Sequence, residues 1–336
     1  FDEIIAGALK INTTFSSPAV SVNAFNRSTH LDDLYFTLFK PGQSNHWDGN
    51  LKKYKLDFKE VGGEVVPFVA DKNGDPAVDT TTGFFSDSAQ SYWSADIDGK
   101  EVSAGGASSH LGTSRNVYTY TGKYTASDGV MTPANSTIIT GSNKVDNATT
   151  ALTDTLLDII GYAEIVPGTP YRETLTNWAR GLDALSEHGA VDTYTDARPV
   201  MGDPLHAEPA LVQYGQLPSG DPDLVAYVAT NDGYLHAFST DTGEEVFSFI
   251  PQEVLPRLQL VMENNSGNKV YALDGNVVAW VNDADGDGTI SGASEHVYIY
   301  FGMRRGGRNI YAMDVTDRKS PKLLWVIEGG TGDYKE

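Results

Sequence analysis

The stretch from Asn282 to Ser291 sets Asp283, Asp285 and Asp287 at alternate positions and follows them with Gly288, Thr289, Ile290 and Ser291. Alternating carboxylates in a short loop make a ring of hard oxygens, which Ca2+ takes at roughly 2.3–2.6 Å. Gly288 stands at the sixth position, where such a loop turns sharply, and Ile290 can pin the exit by burial. Without an ion the aspartates repel one another, so a bare solvated turn is the poorer use of this sequence. A second run, Asp71, Asn73, Asp75 and Asp79, also spaces oxygen side chains for a loop. There Pro76 occupies the glycine position, and proline is locked near about −65°. That run reads as an ordinary hairpin turn around Asn73-Gly74.

Other chemistry is thin. The histidines at 30, 46, 110, 188, 206, 236 and 296 show no HxxxH or HExxH spacing. No GxSxG elbow is present, and Ser108-Ser109-His110 alone does not make a triad. Asp203, Glu208 and Asp232 make an acid–base pair only if the fold brings them to one cleft. Arg304-Arg305-Gly306-Gly307-Arg308 lacks the GxxxxGK[ST] order of a phosphate loop. It reads as a tight turn whose arginines pair with carboxylates. Arg180-Gly181-Leu182-Asp183 departs from the Arg-Gly-Asp order, so integrin binding is not supported.

These residues belong to a chain of 336 with a net charge of −21 and no cysteine. That charge opposes encounter with nucleic acid or an anionic membrane surface and suits divalent cations. Disulfides and thiolate metal sites are excluded. No apolar run reaches about 18 residues, so no membrane insertion is expected. Phe1 at the start and the run from Gly330 to Glu336 at the end read as the ends of a trimmed fragment.

The elements that must hold the loop are short strands. Leu34 to Phe39, Val117 to Tyr120, Val225 to Ala229 and Val297 to Phe301 are aromatic and β-branched runs punctuated by Gly, Asn and Asp. A helix is expected over Arg172 to Glu187, where Leu175, Trp178, Leu182 and Leu185 recur at helical spacing, and a second over Thr153 to Ile160. Thr125 to Thr150 reads as a long loop or insertion. Tyr227 to Phe247 and Tyr298 to Trp325 are two copies of one strand–turn–strand–turn–strand pattern, and Leu34 to Tyr54 is a looser third. Such repetition marks propeller blades, with Phe247 and Trp325 as core residues between neighbouring sheets.

Several of these segments, taken in order, resemble one family. Thr13 to Phe25, Trp47 to Tyr54, Gly202 to Pro209, Thr230 to Phe238, Ile250 to Pro256 and Gly302 to Arg308 look like the C-terminal β-propeller region of the type IV pilus tip-associated adhesins of the PilC type. The resemblance implies an all-β, modified β-propeller, incomplete over residues 1–336, with an insertion at 125–150, a helical insertion at 151–190 and a calcium-binding hairpin loop at 282–295. It further implies a non-enzymatic, extracellular protein at the pilus tip, secreted through the periplasm. Its expected partners are minor pilins or the tip complex, and a host or abiotic surface ligand. The expected roles are pilus biogenesis, attachment and twitching motility.

The family's calcium ligands fall here on Asp283, Asp285, Asp287, Thr289 through its carbonyl, and Ser291. Ser291 replaces an expected carboxylate, and Glu295 lies one residue past the place of a closing glutamate. Lost ligand charge predicts a weak site, with a dissociation constant on the order of 10⁻⁵–10⁻³ M. The alternative is a quinoprotein-type dehydrogenase using pyrroloquinoline quinone and Ca2+, to whose blades Asp241-Thr242-Gly243 is similar. That family's adjacent-cysteine disulfide is absent, and no tryptophan platform with arginine and acidic base can be located.

Overall fold

The aromatic and β-branched runs become three sheets, antiparallel except for one short parallel strand. The computed structural model describes residues 14–15, 19–22, 30–187 and 194–329. Most of the Thr13 to Phe25 motif, His188 and both chain ends lie outside them. The first sheet rests on β3 (His30–Lys40), β4 (Asp48–Val61) and β5 (Glu64–Ala70). Strands β1 (Thr14–Phe15) and β2 (Ala19–Val22) join β3, and β9 (Met201–Gly202) joins β4. The second sheet runs β10 (Ala210–Gln216), β11 (Pro222–Ala229), β12 (Leu235–Ser239) and β13 (Glu245–Phe249), with β6 (Val117–Tyr118) parallel to β13. The third runs β14 (Val277–Asn282), β15 (His296–Gly302), β16 (Ile310–Asp314) and β17 (Lys322–Ile327). Hairpin β7 (Tyr124–Ser127) and β8 (Val130–Pro133) extends it past β17. The run read as a loop from Thr125 therefore begins as sheet.

Short helices make the chain mixed rather than all-β: α1 (Asp154–Leu157), α2 (Tyr171–Ala179) and α3 (Leu258–Glu263). Helix α1 starts where expected, with Thr153 Oγ1 accepting the Leu156 N–H at 3.2 Å. Helix α2 is shorter than its apolar spacing suggests, because the chain turns at Gly181 with φ +99° and Leu182 and Leu185 follow it outside the helix. No sheet closes on itself among the described residues. Nor is any helix there long and apolar enough to cross a membrane.

The sheets stack face to face, because each carries apolar side chains on both sides. One face of the second sheet sets Ala226, Val228 and Phe238 against Tyr35, Leu51 and Trp93 beside the first. Its other face sets Val212, Tyr227 and Phe247 into one core with Val297, Ile299, Phe301 and Met313 of the third. Each large side chain so covered contributes about 1.5–3 kcal/mol. The repeated copies are equivalent in register: Tyr227, Ala237 and Phe247 lie side by side across β11, β12 and β13, as do Tyr300, Ala312 and Trp325 across β15, β16 and β17. Phe247 is buried as expected. Trp325 is not, because its face looks outward; it packs on Tyr300 with ring centroids 5.9 Å apart. Val278, Trp280, Ile310 and Ile327 are exposed on the same sheet.

Two features of the second sheet invite measurement. Gly243 has φ +79°, and a Cβ there would lie 2.7 Å from Trp93 Cγ. Gly243→Ala should therefore lower unfolding stability by about 1–3 kcal/mol, read by urea denaturation. Arg115 grips Glu245 through Nε at 2.7 Å and Nη2 at 2.9 Å, and His236 Nδ1 meets the same carboxylate at 2.7 Å. Burial alone pushes Glu245 up, but Arg115 and His236 outweigh it and hold the carboxyl at about 2, from an ordinary 4.5. A depressed carboxyl stabilises the fold above its unfolded value, and that contribution goes as pH falls from 4.5 toward 2. Glu245→Gln should cost about 3 kcal/mol at neutral pH and flatten this acid limb in a pH series of denaturation curves.

Candidate metal centre

The acidic run joins β14 to β15, and the two strands pair continuously from Val277↔Phe301 to Asn282↔His296. It is thus the tip of a hairpin, with no helix on either side. Its shape comes from aspartates bonding backbone amides two to five residues ahead. Asp283 Oδ1 accepts the Gly286 N–H at 2.9 Å and Oδ2 the Gly288 N–H at 2.9 Å. Asp285 Oδ1 accepts from Asp287 at 3.2 Å, and Asp287 Oδ1 from Thr289 at 2.7 Å. Gly286 and Gly288 supply the positive φ these turns require, +74° and +81°.

The result gathers three carboxylates. One oxygen from each of Asp283, Asp285 and Asp287 lies within 4.8 Å of the others. Asp283 is half-buried and the other two are exposed. Asp285 sits above the ordinary carboxylate range: the Asp287 amide draws it down, but desolvation and the charges of Asp287, Glu295 and Asp283 outweigh that bond. Among the described residues no cation pairs with any of the three aspartates. This donor set fits a hard divalent cation, which takes carboxylate and carbonyl oxygens.

Thr289 and Ser291 follow in the same loop. The Thr289 N–H is spent on Asp287, and the Ser291 N–H on Glu295 Oε2 at 2.7 Å. Glu295, only 3% exposed, also accepts the Gly292 N–H at 2.5 Å. Those amide bonds hold its carboxyl below the usual range. Glu295 therefore closes the loop through the backbone, and its charge still reaches Asp283 and Asp285.

The loop leans on the second sheet, which the sequence did not signal. Ile290 donates its N–H to the Tyr214 carbonyl at 3.1 Å, and Gln213 Nε2 reaches the Gly288 carbonyl at 3.4 Å. Ile290 packs partly buried against the core, as its position suggests. Gln213 is itself buried, and its Oε1 has no partner among the described residues.

The other candidates do structural work. Asp71 is buried and spends both oxygens on the amides of Asn73, Asp75 and Gln90. Asp203, Glu208 and Asp232 do not form an acid–base pair. Asp203 is paired with Lys269 and takes the Asn231 amide at 2.8 Å, burial pushing it up to about 6. Asp232 is buried against Thr230, and Glu208 is exposed. His206 Nδ1 meets Asp274 at 2.9 Å, and His236 stacks between Tyr234 and Phe238. Arg304 to Gly306 form a single 3₁₀ turn, with Arg304 beside Asp274 at 3.9 Å and Arg305 over the Tyr271 ring.

Comparison with known proteins places the loop inside a matched region. The sequence model of the PilY1 beta-propeller domain matches residues 218–334. A "Type IV pilus biogenesis factor PilY1" of Pseudomonas aeruginosa is 31% identical over 177 residues, covering 46% of this chain and 15% of that protein. A "Type IV pilus biogenesis factor PilY1 homolog" of Xylella fastidiosa is 40% identical over 101 residues, 30% of this chain and 8% of its own length. The chain thus spans a small part of the curated relatives it matches. No solved structure matches. These names describe biogenesis factors and no enzyme, in line with the non-enzymatic reading, and they point to PilY1 rather than to the PilC type in particular. Across the matched residues, the chain is similar to type IV pilus biogenesis factors named PilY1.

Proposed function

We propose that this chain is part of a β-propeller in a non-enzymatic pilus-tip adhesin and assembly factor that binds Ca2+ through its acidic hairpin loop. The observation that carries the reading is the convergence of Asp283, Asp285 and Asp287 within the region similar to the PilY1 propeller. The Thr289 carbonyl and the Ser291 hydroxyl complete the proposed ligand set. When bound, the ion supplies positive charge that relieves the mutual repulsion of three carboxylates. The loop's own amide bonds define its closed form, and binding selects that form over local openings.

The propeller reading draws on the repeated sheets. Tyr227 and Phe247 meet the following sheet, while Tyr300 and Trp325 present the same pattern to solvent. A further sheet on that face is what a blade series requires. The relatives' printed role is type IV pilus biogenesis; by the resemblance to tip-associated adhesins, the protein would act outside the cell at the pilus tip, reached through the periplasm. There it would work with minor pilins and a host or abiotic surface ligand in pilus biogenesis, attachment and twitching motility. Loop occupancy would favour one pilus state over another.

Calorimetric titration of the chain with Ca2+ should give one site with a dissociation constant on the order of 10⁻⁵–10⁻³ M. Asp285→Ala should weaken binding by at least about tenfold, while Asp79→Ala, in the run interrupted by Pro76, should leave it unchanged. A wild-type chain that takes up no calcium would sink the reading.

A further inference from the structure

The loop at Asp283 touches more than its own hairpin. Its descending arm crosses to β10 of the second sheet, where the register between β10 and β11 shifts between Gln213 and Gly215. That irregularity frees the Tyr214 carbonyl for the Ile290 N–H at 3.1 Å. Beside it, Gln213 Nε2 bridges the Gly215 carbonyl at 3.3 Å and the Gly288 carbonyl at 3.4 Å. Gly215 lets the loop approach: a Cβ there would come within 3.3 Å of Thr289 Cγ2.

Tyr214 then ties the same point to the end of β16 in the third sheet. Its hydroxyl meets the Tyr227 hydroxyl at 2.6 Å and donates to the Val315 carbonyl at 2.8 Å. Arg318, just past β16, lies 5.2 Å over the Tyr214 ring and forks onto both oxygens of Asp223 in β11 at 2.6 and 2.5 Å. The two sheets are therefore laced along one seam, and the acidic loop holds one end of it.

We infer that ion occupancy of this loop is read out as tightening of the seam between the second and third sheets, with Gln213 and Tyr214 as the receiving residues. The inference rests on the calcium reading above. With the three carboxylates unbalanced, the loop opens locally, and each opening releases the Gly288 and Ile290 bonds. With the charge neutralised those openings become rarer, and protection passes to β10 through the same two bonds. Gln213 is a positioning residue here: it holds the Gly288 carbonyl and through it the turn that presents Thr289.

Hydrogen exchange of the whole chain, read by mass spectrometry with and without Ca2+ at about 100 times its dissociation constant, tests this. Peptides from the loop and from 210–216 should both slow, by up to about 100-fold, while peptides from the first sheet stay unchanged. In Gln213→Leu, calcium should still slow the loop, but the slowing at 210–216 should shrink several-fold. KCl at matched ionic strength in place of Ca2+ serves as the control and should slow neither set of peptides. Calcium heat and loop protection without any change at 210–216 would overturn the inference and leave the calcium site standing. No calcium heat in the wild type would overturn both.

Discussion

A β-sheet with apolar side chains on both faces must be covered on both sides, and this requirement organises the whole chain. The second sheet meets it completely. Phe238 and Val228 look toward Tyr35 and Trp93, while Tyr227 and Phe247 look toward Ile299 and Phe301. Everything else is arranged around that sandwich. Helices α2 and α3 add Leu175, Trp178, Val261 and Met262 to the larger core. The segment from Asp71 to Val102 folds over the outer part of the first sheet, packing Phe85 on Tyr54 with centroids 4.5 Å apart.

Between these apolar faces the chain buries charge, and it does so in matched sets. Arg115 with Glu245 and His236, Lys269 with Asp203, and Lys52 with Asp98 at 2.9 Å all lie inside. Lys52 also reaches the Glu101 carbonyl at 2.8 Å, so its ammonium is held on several sides. Such pairs contribute little net stability but penalise any packing that separates them. They fix which sheet edge meets which loop. The acidic hairpin is the exception, with three carboxylates gathered together and, among the described residues, no cation paired with them.

The local part of this arrangement was legible in the sequence, and the non-local part was not. Aspartate spacing and Gly288 identify the loop because its bonds run between near neighbours. The blade copies were visible because Tyr227 and Tyr300, or Phe247 and Trp325, recur in one order. The repeat places Trp325 in the core and the fold does not, because burial depends on what lies opposite, and pattern alone cannot supply that. Apolar spacing alone extends α2 past its end at Ala179, because Leu182 and Leu185 keep a helical rhythm beyond the turn at Gly181. The mates of Gln213, Asp203 and Arg115 lie 66 to 130 residues away, where no spacing rule reaches.

The equivalence of Tyr227 with Tyr300, and of Phe247 with Trp325, also bears on how such a chain can arise. The second sheet offers its aromatic pair forward, and the third receives it on its back. A DNA segment encoding one unit therefore carries both halves of a junction. Tandem copying would deliver each new sheet already fitted to the last, and losing one would leave its neighbours able to meet. The Trp325 face is, in that sense, shaped to receive a further unit of the same kind.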